Sequence, residues 1–175
     1  MKTIFIISFA LAVIILVASF LVYSGIYNVS AQKKHYKITE WLLNTTMDRS
    51  IKEHAKNIKV PDLTSPTMIK MGYIQYKEMC VDCHGAPGIQ PSELAKGLNP
   101  KAQLLTLKVS DWKPEELFWI IKYGIRMTGM PAWGITHSDQ KIWTIVAFLN
   151  KLPNLSVKEY DKMSIAFNSD SNFSK

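Results

Sequence analysis

Cys80-Val81-Asp82-Cys83-His84-Gly85 contains both cysteines of the 175-residue chain. It reads as C-x-x-C-H, the pattern by which a c-type haem is attached. On a turn running into a helix, thiols three positions apart can reach the two vinyl groups on one edge of a porphyrin. The next residue, His84, is then placed to point an imidazole nitrogen at the iron. Gly85 leaves room for the macrocycle. The competing readings are weaker. A thioredoxin-like redox pair needs an alternating βαβ pattern, and the flanking sequence offers none. A zinc site needs four ligands, and His35, His54 and His137 do not flank the motif at finger-like spacing. A disulfide across so short a loop constrains little. One haem c, bound covalently through Cys80 and Cys83 with His84 as an iron ligand, is therefore expected.

The other face of the iron is sought in Arg126-Met127-Thr128-Gly129-Met130-Pro131-Ala132-Trp133-Gly134. Pro131 fixes its own φ and disfavours the α region for Met130, which places Met130 on an extended strap. Such a strap can lay a thioether across a flat ring, and a neutral, soft sulfur favours ferrous iron. Met130, 46 residues after His84, is thus expected as the second axial ligand. Met68, Met71, Met79 and Met127 are read as packing residues. Should Met130 not bind, Met127 is the first alternative and His54 a second candidate, and His35 and His137 have weaker claims.

Three features in order resemble the class I cytochromes c, in particular small single-haem bacterial members with an N-terminal membrane anchor. They are the C-x-x-C-H motif, the series Gly72, Tyr76, Cys80 (similar to the family's Gly-x-x-x-aromatic-x-x-x-Cys), and Gly129-Met130-Pro131, which looks like the distal methionine loop. The resemblance covers roughly residues 66 to 153. It implies an all-α fold wrapped around one haem and electron transfer without substrate chemistry, so no catalytic residue is expected. It also implies close crossing of the first and last helices of the domain at Gly72.

Local patterning agrees with an all-α domain. Ser65-Pro66 offers an N-cap and an N1 proline, with Ile69, Gly72, Tyr73, Tyr76 and Cys80 on one face. Pro114-Glu115-Glu116 starts a second helix that Gly124 ends, although Lys113 is a poor cap. Thr136-x-x-Asp139 resembles a capping box for a third helix, whose Ile142, Ile145, Val146 and Leu149 face inward up to Pro153. Residues 86 to 110 show turn signals without periodicity. They predict a loop against one haem edge, with a carbonyl near Pro100 accepting from the free nitrogen of His84. Residues 36 to 59 predict a further helix with a stripe of Tyr36, Leu43, Met47, Ile51, Ala55 and Ile58. That helix could rest on the haem domain, on the membrane or on a partner.

From Thr3 to Gln32 there is no charged residue, and Ile4 to Val22 is interrupted only by Ser8 and Ser19. A helix of that length spans about 28 Å, close to the hydrocarbon thickness of a bilayer. It is longer than the apolar core of a typical signal peptide, although Val29-Ser30-Ala31 resembles a cleavage site. The expected organisation is an uncleaved anchor (1–32), a basic juxtamembrane helix and linker (33–62), a cytochrome domain (63–154) and a flexible tail (155–175), fraying from Ser164 to Lys175. The formal charge of +7 comes from 21 basic and 14 acidic residues. Residues 33 to 60 carry 7 basic against 3 acidic, whereas 66 to 153 carry 10 against 7. The excess therefore borders the apolar segment, where anionic lipid can attract it, and nucleic acid is not an expected partner.

The resemblance places the haem domain on the extracytoplasmic side of the cytoplasmic membrane. Expected partners are the haem attachment machinery and either redox partner proteins or a membrane redox complex. The function expected is membrane-tethered transfer of single electrons between a respiratory donor and an acceptor. One alternative is a permanent haem subunit of a larger complex; another is a haem enzyme or gas sensor with a labile sixth ligand.

Overall fold

In the computed structural model, which describes residues 1–171, the chain divides into two units, Met1–Lys34 and His35–Lys175. The first consists of α1 (Lys2–Tyr23) and an irregular segment after it. None of the α1 side chains is buried. At 1.5 Å per residue its 22 residues extend about 33 Å. It is the one helix among the described residues long and apolar enough to cross a membrane.

The second unit is all-α. In chain order it contains α2 (Lys37–Ala55), α3 (Pro66–Met79), α4 (Val81–His84), α5 (Glu93–Lys96), α6 (Leu105–Lys108), α7 (Pro114–Tyr123), α8 (Asp139–Leu149) and α9 (Val157–Ser171). Its core forms where α3 crosses α8. A Cβ built on Gly72 would fall 2.6 Å from the carbonyl carbon of Thr144 and 2.8 Å from Cβ of Phe148, so only glycine permits this approach. Around the crossing, Tyr73 meets Phe148 edge-on with ring centres 5.6 Å apart, and Tyr76 lies 5.2 Å from the same ring. On the other side of α8, Trp143 stacks on Phe118 of α7 at 4.2 Å. Aromatic pairs of this kind add to the large apolar area that each ring removes from water.

The helix starts differ in detail from expectation. Pro66 opens α3, but the Ser65 side chain makes no capping bond. At α7, the Lys113 side chain indeed makes no cap, and the buried Glu116 carboxylate instead accepts from the Lys113 backbone N–H at 2.8 Å. The cap of α8 is Ser138, whose hydroxyl accepts from the Lys141 N–H at 3.3 Å. Thr136 belongs to the preceding turn, where its hydroxyl donates to Trp133 O, so the Thr136-x-x-Asp139 box is corrected.

Two further segments are corrected or resolved. The stretch 155–175, expected as a flexible tail, is helical in its described part, because α9 carries Tyr160 into the core, where its ring meets Tyr73 at 5.3 Å. The last four positions of the expected fraying, 172–175, lie outside the described residues. Of the three supports open to the 36–59 helix, the haem domain takes its C-terminal half. Ile51 and Ala55 are buried where α2 packs on α7, and His54 lies 5.6 Å from the Trp119 ring.

Candidate haem site

α3 delivers the Cys-x-x-Cys-His motif without a break. Cys80 closes α3 by donating its backbone N–H to Tyr76 O at 2.9 Å, and its own carbonyl then accepts from Cys83 and His84, at 3.1 and 2.9 Å, to start α4. Both thiols are free and partly buried. As a free thiol Cys80 is pushed up to about 12, first by burial and then by the neighbouring Cys83. Gly85 ends α4 at φ +66°, where a Cβ would also crowd Ile89 O at 2.7 Å. That backbone requirement is the role the structure gives Gly85. The chain then folds back through a bridge between Ala86 and Ile89.

Tyr76 locks this turn from below, its fully buried hydroxyl donating to the carbonyl of Gly85. Burial raises the pKa of that phenol, so it remains a donor throughout the physiological range. Tyr76→Phe should leave the Gly85 carbonyl without its partner and cost about 1–3 kcal/mol. A denaturant midpoint equal to that of the wild type would rule out this role.

His84 has a defined tautomer. Its Nδ1 lies 2.7 Å from Gln103 O, and because a carbonyl only accepts, Nδ1 carries the proton and Nε2 keeps its lone pair. Burial lowers the imidazole pKa, while the Gln103 bond acts in the opposite direction. A neutral imidazole with Nε2 open is the form that ligates a metal. The acceptor lies in the loop where a partner was expected, but it is Gln103, three residues beyond Pro100.

On the second strap, Gly124 ends α7 at φ +65°, and a Cβ there would meet Pro131 C at 2.7 Å and Met130 O at 2.8 Å. The end of α7 is thus pressed against the methionine segment. Ile125 N–H donates to Met130 O at 3.3 Å, and the Thr128 hydroxyl accepts from Met130 N–H at 3.1 Å while donating to Ile125 O at 2.7 Å. Met130 and Cys80 are partly buried against the same core cluster. Met127, at φ +61°, is 77% exposed. The weaker candidates lie elsewhere. His54 Nδ1 donates to Ser50 O at 2.8 Å, His35 is exposed, and the half-buried His137 sits edge-on to Trp133 at 5.3 Å.

Residues 67–149 match the family model described as cytochrome c oxidase, cbb3-type, subunit III. This stretch is a class I cytochrome c domain. No curated protein matches the chain. The cytochrome domain makes the chain a haem protein of electron transfer, with α1 as its candidate membrane anchor. The residues fit the cofactor. Two unpaired thiols one helical turn apart adjoin a histidine whose Nε2 is open, and a partly buried methionine is held on a tied loop. Gln103 and Thr128 are the parts that sequence reasoning missed. Gln103 acts through its backbone carbonyl, which carries no side-chain signature. Thr128, beside Met130, could have been noticed as a hydroxyl able to brace a loop.

Proposed function

We propose that the chain is a membrane-tethered c-type cytochrome that carries single electrons between a respiratory donor and an acceptor complex. In this reading one haem c is bonded through thioethers to Cys80 and Cys83 and held axially by His84 and Met130. When bound, the haem supplies a one-electron couple, and a His/Met ligand pair raises its potential. The chain's own residues fix that environment. Gln103 sets the His84 tautomer, Tyr76 holds the turn at Gly85, and Thr128 braces the segment that carries Met130. The His84 bond to Gln103 carries the reading, because it orients a neutral imidazole immediately beside the second cysteine. Haem attachment of this type takes place outside the cytoplasm, so the cytochrome domain is assigned to the extracytoplasmic side of the cytoplasmic membrane.

The test is the long-wavelength sulfur-to-iron charge-transfer band of the ferric protein. Met130→Ala should abolish it and lower the potential, whereas Met127→Ala should leave both unchanged. Survival of the band in Met130→Ala would sink the ligand assignment.

The name of the matched family favours a second reading, a haem subunit held permanently in a larger membrane redox complex. Extraction in mild detergent separates the two, since a fixed subunit co-purifies with its complex and a shuttle does not.

A further inference from the structure

α2 has two faces with different surroundings. Successive residues along a helix turn by about 100°, so Met47, Ile51 and Ala55 form one stripe, Ile38 and Leu42 fall on roughly the opposite side, and Trp41 lies on the flank between them. The first stripe turns toward the domain, with Ile51 and Ala55 buried. The second stays exposed, at 68% for Ile38, 62% for Trp41 and 54% for Leu42. Farther along the same outer face the residues become polar: Thr45, Arg49, Lys52 and Glu53. The exposed apolar residues are therefore confined to the first turns of α2, the part nearest in sequence to the apolar α1.

Three observations select the occupant of that face. Residues 24–36 are all that separate α1 from α2, and a chain of that length reaches at most about 50 Å even when fully extended. Lys33, Lys34 and Lys37 stand at the entry to α2 against the single acidic Glu40 of its first turns, a charge complement for anionic headgroups, while Arg49 and Lys52 farther along are balanced by Asp48 and Glu53. The exposed set includes Trp41, with Tyr36 just before the helix, and such amphipathic rings concentrate at the membrane–water interface.

We infer that the first turns of α2 lie in the headgroup region of an anionic bilayer, with Ile38, Trp41 and Leu42 inserted, while the end of the same helix stays packed on α7. The inference rests on the tethering proposed above. α2 then acts as an interfacial helix in series with the anchor and presents the cytochrome domain to the membrane in a fixed orientation.

The test uses the full-length haem-loaded chain in vesicles of phosphatidylcholine and phosphatidylglycerol. Haem attachment occupies both native thiols, so a cysteine introduced by Leu42→Cys, Ile38→Cys, Glu53→Cys or Val13→Cys takes a nitroxide label specifically. The readout is the ratio of accessibility to oxygen over accessibility to a water-soluble nickel chelate. Labels at 38 and 42 should give a ratio several-fold above that at 53, and the label at 13 the highest. If 13 lies in lipid while 38 and 42 match 53, the inference is overturned and the face is left for a protein partner. If 13 itself is in water, the tether fails and the inference falls with it.

Discussion

Gly72→Ala is expected to destabilise the cytochrome domain by at least about 3 kcal/mol, a large share of the roughly 5–15 kcal/mol that holds a domain of ordinary stability together. Intrinsic preference predicts the opposite sign, since alanine is favoured over glycine by about 1 kcal/mol in a helix interior. Contact decides between them. The added methyl would overlap the Thr144 carbonyl and approach Phe148 Cβ to 2.8 Å. The obstruction on the α8 side includes backbone, which cannot rotate away as a side-chain tip can. Relief requires α3 and α8 to separate, which also loosens Tyr73 and Tyr76 against Phe148. Guanidinium unfolding followed by far-ultraviolet circular dichroism measures the effect, and an alanine variant as stable as the wild type would refute the close crossing as a constraint.

The second large effect concerns attachment. In a Cys80→Ala, Cys83→Ala double variant, the fraction of haem that survives a denaturing gel or acid-butanone extraction should fall from nearly all to none. Each single variant should retain one thioether, visible as a red-shifted pyridine haemochrome. Addition of a thiol S–H across a vinyl group forms the C–S bond without gain or loss of electrons, so no oxidant is needed. Burial keeps the unattached Cys80 protonated well above neutral pH, a form that reacts slowly in disulfide chemistry. Haem retained by the double variant through denaturation would show that the link lies elsewhere.

Much of this architecture was legible in the sequence because it rests on local signals. Pro66 and Pro114 mark the starts of α3 and α7, Gly124 marks an end, and the apolar spacing from Ile142 to Leu149 identifies the buried side of α8. The cap of α8 was misplaced by two residues because Thr136 and Ser138 carry the same chemistry, and only the path of the preceding turn distinguishes them. α9 was missed for a different reason. Its Ser- and Asn-rich composition hides Tyr160 and Met163, whose value depends on the core around Tyr73, which exists only after folding. The same limit applies at the haem site. The sulfur and imidazole residues announce themselves by type, whereas the Gln103 carbonyl that orients His84 is generic backbone, brought there by the loop.

The docking of α2 on α7 also determines where mechanical load enters the cytochrome domain. α2 grips α7 through Ile51 and Ala55, and α7 terminates at Gly124 against the backbone of Met130 and Pro131. A pull on α2 would therefore reach both the methionine strap and α8, while Cys80, Cys83 and His84 follow α3, one helix removed from α7.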